Sequence, residues 1–178
     1  MIIDYGAVDR FGVPNRFFGP HPGEFYGMIG RITCLSALLE HQLLVAYQTM
    51  TNSMQDEHVR LSAGQLLDRA QREVSTVRDS GAKQTLQDYL NRVGAALRLR
   101  NDFIHSLWPA QDGERLLGWR PSRAQDSNPA KTDELLETTL DEIKAFVQEL
   151  VSLVIERDRA YSAAQVEQGR RIECGGSE

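Results

Sequence analysis

Paired cysteines, lysine and unbroken apolar sequence are all scarce in this 178-residue chain. Cys34 and Cys174 stand 140 positions apart, with no CxxC and no Cys/His pairing, which argues against a disulfide scaffold and a structural zinc site. Cys34 reads as core and Cys174 as part of a polar tail. No stretch approaches the roughly 18 to 20 unbroken apolar residues of a transmembrane helix. The opening Met1-Ile2-Ile3-Asp4 lacks the basic and apolar regions of a signal peptide. The expectation is a cytoplasmic protein with no membrane partner. Lysine occurs 3 times against 17 arginines, and the net charge of -5 excludes a nucleic-acid binder whose whole surface is basic. A local basic patch is still allowed, because Arg92 to Arg123 holds six arginines against Asp102, Asp112 and Glu114. An apolar fraction of 41% and a charged fraction of 25% fit one globular domain.

Metal and phosphate signatures are missing too. The chain has no Glu-x-x-His, which a di-iron or di-manganese helical bundle requires, and neither HExxH nor a GxxxxGK loop. Glu142-Ile143-Lys144 mimics the end of a metal-nuclease motif, but on a helix those two side chains point apart. His21, His41 and His58 have no shared spacing and read as surface histidines. No metal and no cofactor is expected.

What is present is helical periodicity. Residues 1 to 21, with Gly6, Gly12, Pro14, Gly19 and Pro20, follow no period and read as an N-terminal arm. Phe25, Ile29, Ile32, Ser36, Leu39, Leu43 and Ala46 then recur at steps of three and four, widened by Met28 and Leu35, and predict a helix over about 23 to 52. Ser62 followed three residues later by Gln65 is a capping-box signature, and Ala63, Leu66, Leu67, Ala70 and Val74 predict a second helix over about 62 to 78. Leu86, Leu90, Val93, Leu97, Ile104 and Trp108 predict a third over about 83 to 107, which Pro109 must end. A short strand or hairpin is expected near 110 to 122. Pro121 to Pro129 reads as a polar loop. Thr132, followed by Asp133 and Glu134, is expected to cap a fourth helix running to about 161, with Leu136, Leu140, Ile143, Val147, Leu150 and Val154 on one face, and Leu135, Phe146 and Leu153 beside it. Residues 162 to 178 read as a polar C-terminal tail. The resulting expectation is an all-α antiparallel bundle of four main helices over residues 22 to 161, with the short hairpin as its one β feature.

Polar residues gather at the end of the third helix. On a wheel with Leu97 at zero, Arg100 lies about 60 degrees to one side of the apolar stripe, Asn101 about 40 and His105 about 80 degrees to the other. Polar groups at a core edge need partners. Asn101 and His105 form an i, i+4 pair, with Arg98 on the same flank and Glu40 at the corresponding edge of the first helix. One reading is structural: Arg100 and His105 offset the helix dipole, Asn101 bonds a neighbouring helix and Trp108 is core. The other is phosphoryl transfer, in which a histidine accepts a proton from a ribose 2'-hydroxyl and an arginine fork stabilises the charge growing on the phosphate.

Arg100-Asn101-Asp102-Phe103-Ile104-His105 resembles the R-N-x-x-x-H form of the R-x4-6-H motif of HEPN domains (higher eukaryotes and prokaryotes nucleotide-binding). The following Ser106-Leu107-Trp108 resembles the small-x-Trp extension of many of them. Arg60-Leu61-Ser62-Ala63-Gly64-Gln65-Leu66-Leu67 is similar to the second-helix opening of a bacterial subgroup, and the helix carrying Leu38-Leu39-Glu40 is similar to its first. The resemblance spans about residues 25 to 155. It implies a homodimer with two motifs facing one cleft and a metal-independent endoribonuclease, a toxin or defence component. It also implies products ending in a 2',3'-cyclic phosphate and a 5'-hydroxyl. His105 would be the general base, Arg100 the phosphate ligand and Asn101 the group orienting one of them, with Glu40 and Arg98 supporting. The partner would be RNA, and any antitoxin a separate chain. The alternatives are a noncatalytic HEPN module that binds RNA, a nucleotide or a protein, and a purely structural dimeric bundle. The enzyme needs both copies of His105 open to solvent in a shared cleft, whereas a core-capping histidine would be buried against backbone carbonyls.

Overall fold

A computed structural model of the chain describes residues 8, 11–14, 21, 23–51, 61–112, 114–120 and 134–174. Among these it is mostly helical. Helices α1 (Gly23–Thr51), α2 (Ala63–Glu73) and α3 (Ser80–Ile104) are followed by strands β1 (Leu107–Asp112), β2 (Arg115–Arg120) and β3 (Glu134–Thr139), and then by helix α4 (Leu140–Cys174). The expected loop over Pro121 to Pro129, the Thr132 cap, His58 and nearly all of the N-terminal arm lie outside the described residues.

The first two helices form where their sequences place them. α2 starts at the expected capping box: the Gln65 amide donates to Ser62 Oγ at 3.3 Å and the Ser62 amide to Gln65 Oε1 at 2.9 Å. These bonds satisfy donors that the first helical turn leaves without partners. α2 gives way after Glu73 to a 3-10 turn over Val74–Thr76. Cys34 is exposed rather than core. It lies two residues past the buried Ile32, and two residues turn a helix by about 200 degrees, which points the thiol away from the apolar stripe. Over Gly23–Gln48, α1 has a window of mean hydropathy 1.2 and is long and apolar enough to cross a membrane by length and composition alone.

Three expected boundaries move. α3 stops at Ile104, short of Pro109, and Trp108 and Pro109 belong to strand β1. α4 begins at Leu140 rather than after Thr132, because Glu134–Thr139 is a strand paired with β2, and it continues past 161 to Cys174. The sheet is antiparallel in the order β1-β2-β3. Leu107 lies opposite Trp119, which lies opposite Leu135, while Arg120 lies opposite Glu134. The hairpin expected near 110 to 122 is therefore two strands of a three-stranded sheet.

The chain divides into two compact units. The first comprises Met1–Thr33 and Leu99–Val147, and the second Cys34–Arg98 and Gln148–Glu178. In the first, Phe25, Met28, Ile32, Phe103, Leu116, Ile143 and Phe146 are buried. Phe103 stacks with Phe146, their ring centres 5.5 Å apart, and with Trp108 at 5.8 Å. In the second, Leu39, Leu43, Leu86, Leu90, Val93, Leu150 and Leu153 are among the buried residues. There Gly94 lets α3 approach α2 closely, since a β-carbon at that position would stand 2.9 Å from Leu67 Cδ2. Arg92 forks onto both Glu149 oxygens at 2.9 and 3.1 Å and reaches Glu156 at 2.6 Å, tying α3 to α4 within this unit.

Candidate functional site at the end of the third helix

The last turn of α3 and the bend after it carry the residues singled out by sequence. The His105 amide donates to the Asn101 carbonyl at 3.0 Å, a final helical bond beyond the last helical residue. The backbone then leaves the helix, and His105 is exposed. Asn101 Oδ1 accepts from Arg100 Nη1 at 2.9 Å. Arg100 and Asn101 are both half-buried. One residue, Asn101, thus fixes a guanidinium through its side chain and the His105 backbone through its carbonyl. Arg100, Asn101 and His105 all lie in the first unit, where the Asn101 side chain holds the guanidinium and the link to His105 is through backbone alone. Glu40, half-buried, and Arg98, exposed, are placed in the second unit.

Two further groups belong to this region, and sequence reading passed over both. Asp102, an unassigned position inside the motif, forms an ion pair with Arg120 of β2. Burial pushes the Asp102 carboxyl up from its ordinary range, the Arg120 guanidinium pulls it down and the Glu134 carboxylate adds to the upward push, leaving it raised. The pair fastens β2 to the last turn of α3. Its only signal in the sequence was Asp102 itself, because the partner is 18 residues away and is brought close by strand pairing.

The second group is His21, which bonds the Trp108 carbonyl through Nε2. A carbonyl only accepts, so this nitrogen carries the proton. The His21 ring lies 4.7 Å from Phe25, and Phe25 lies edge-on to Trp108 at 5.8 Å. Trp108 Nε1 in turn donates to the Phe103 carbonyl at 3.1 Å. The histidine that binds a backbone carbonyl is therefore His21, which sequence reading placed at the surface. His105, the motif histidine, is the open one. Trp108 is half-buried in a strand and is not part of a helical stripe.

No group of three or more His, Cys, Asp or Glu side chains is arranged to hold a metal ion among the described residues. Glu142, from the fragment that mimics a metal-nuclease ending, serves as a helix cap instead. Its carboxylate accepts from the Thr139 amide at 2.9 Å and from Thr138 Oγ1 at 3.1 Å. Comparison with family models, curated proteins and solved structures finds no significant match.

Proposed function

We propose that the protein is a metal-independent endoribonuclease of HEPN type, built on an HEPN-like helical bundle and acting at Arg100, Asn101 and His105. The observation that carries this reading is the exposure of His105 just past the end of α3, five residues after a half-buried arginine whose guanidinium is held by Asn101. A histidine serving only the core would be tied to a backbone carbonyl, as the half-buried His21 is to that of Trp108. An exposed imidazole and a positioned guanidinium on the same stretch of chain are the parts that 2'-hydroxyl attack uses.

In that reaction His105 takes the proton of a ribose 2'-hydroxyl. The freed oxygen attacks the adjacent phosphorus, the bond to the 5'-oxygen breaks, and that oxygen leaves as a hydroxyl after taking up a proton. A 2',3'-cyclic phosphate remains on the upstream fragment. Arg100 stabilises the charge on the phosphoryl oxygens, with Asn101 positioning it. In this reading two copies pair so that their motifs face one cleft, the protein works in the cytoplasm, and a separate antitoxin chain restrains it.

The test is cleavage of a mixed single-stranded RNA in excess EDTA, with fragment 3' ends identified. Wild type is expected to yield cyclic-phosphate ends, and His105→Ala none, while helix content by circular dichroism stays unchanged. Arg100→Lys is expected to lose most activity, because a point charge does not replace a planar fork. If folded wild type leaves the RNA intact, the endoribonuclease reading fails and a noncatalytic binding module replaces it.

A further inference from the structure

His105 sits in a bend whose two ends are tied together. The last carbonyls of a helix have no partner within it, and the Phe103 carbonyl, which a further turn would have bonded to the Leu107 amide, accepts from Trp108 Nε1 at 3.1 Å. Leu107 already belongs to β1. The bond closes residues 103 to 108 into one loop, with His105 between its ends. Ser106 Oγ is buried without a partner, so the serine does not hold this loop and the indole does.

Trp108 is in turn fixed at its ring and at its backbone. The ring stacks with Phe103, is crossed by Phe25 and lies against Gly118, where no side chain intervenes. At the backbone, the register between β1 and β2 shifts between Leu107 and Ala110, across Trp108 and Pro109. Pro109 has no amide for the ladder, and the Trp108 carbonyl is taken by His21 Nε2. The other ring nitrogen of His21 is buried without a partner, so this one bond is what the imidazole contributes.

We propose that Trp108 and His21 are positioning residues for His105: the indole closes the loop that carries the imidazole, and His21 anchors the indole's own backbone. Neither touches the RNA. Arg100 is set by the last turn of α3 and by Asn101, whereas His105 lies past the last helical residue and keeps one helical bond, to the Asn101 carbonyl. Its place relative to Arg100 therefore depends on how the loop is closed. A displacement of about 1 Å in a reacting group can cost about a hundredfold in rate, so a general base on an open loop would be a poor one. The proposal rests on the endoribonuclease reading for the chemistry of His105, though not for the closure of the loop.

The test pairs RNA cleavage with amide hydrogen exchange. Trp108→Phe keeps an aromatic ring and removes the Nε1 donor. It is expected to lower kcat about tenfold or more, with KM and the affinity for 2'-O-methyl RNA, which lacks the attacking hydroxyl, within about twofold of wild type. Exchange at residues 104 to 107 rises about tenfold, as loss of one hydrogen bond allows, while Leu90 and Val93 in the middle of α3 keep their wild-type rates. His21→Ala lowers kcat severalfold, and His21→Gln, which keeps a donor, restores most of it. Ser106→Ala leaves kcat near its wild-type value. Unchanged kcat in folded Trp108→Phe and His21→Ala overturns the proposal, as does a loss that appears in RNA affinity rather than in kcat, which would make Trp108 a binding residue. Faster exchange throughout α3 would reduce the effect to general instability and also overturns it. If wild type cuts no RNA, the endoribonuclease reading falls and exchange alone decides: a rise confined to residues 104 to 107 in both variants upholds the positioning of His105, and unchanged exchange overturns it.

Discussion

Gly118 and Trp108 show how one residue decides the seating of another. A β-carbon on Gly118 would stand 2.8 to 3.0 Å from three carbons of the Trp108 ring, closer than packed carbon atoms approach. That ring has little freedom to yield, being bonded through Nε1 to Phe103, stacked with it and crossed by Phe25. Gly118→Ala therefore overpacks the first unit and is expected to cost about 1 to 3 kcal/mol, measured by urea unfolding followed through tryptophan fluorescence. Unchanged stability would mean that the indole moves freely. The strand position also explains why the helical spacing of Trp108 misleads. Its spacing from Leu97 and Ile104 fits a helix, but the chain leaves the helix after Ile104.

Among the elements, the start of α4 is the most informative. Thr139 Oγ1 accepts from the Glu142 amide at 3.2 Å while Glu142 accepts from the Thr139 amide, which makes a reciprocal capping box. Leu135, Leu136, Leu140 and Ile143 also fit a helical period, so the pattern placed the helix start too early. Pairing of Glu134–Thr139 with β2 takes those residues into the sheet, and Thr139-Leu140-Asp141-Glu142 marks the true start. Thr139→Ala is expected to cost about 1 kcal/mol by thermal or chemical unfolding.

The same cap sets a pH dependence. The Thr139 amide, then Thr138, hold the Glu142 carboxyl below its usual range. A lowered folded value means that the charged cap stabilises above the ordinary glutamate range, about 4.3, and loses that effect as pH falls through the lower folded value. Glu142→Gln is expected to be less stable than wild type at neutral pH, with the gap closing in acid. A gap of constant size between pH 7 and pH 3 would assign the effect to packing rather than charge.

For the molecule as a whole, charge is the governing quantity. A net charge of -5 opposes broad association with RNA, and among the described residues the arginines tied to the last turn of α3 are Arg100, held by Asn101, and Arg120, paired with Asp102. Binding that neutralises one to two phosphates has a logarithmic salt slope of magnitude about 0.7 to 1.4 for a single strand. Titration of 2'-O-methyl RNA binding against salt is expected to fall in that range. A much steeper slope would require a basic surface beyond these residues.

The sequence by itself determined the helices and the local caps, because an apolar period of 3.6 residues and a Ser-x-x-Gln box act within a few positions of the chain. α1, α2 and most of α3 follow from those signals, as does the gathering of Arg100, Asn101 and His105 into the last turn and bend of one element. The tertiary structure decided what depends on distant partners. It made a third strand of Glu134–Thr139, ended α3 before Pro109, paired Asp102 with Arg120 and aligned Leu107, Trp119 and Leu135. Strand pairing joins segments whose local sequence does not name their partner, and a helix yields its end when the next residues gain more from a neighbouring strand than from another turn.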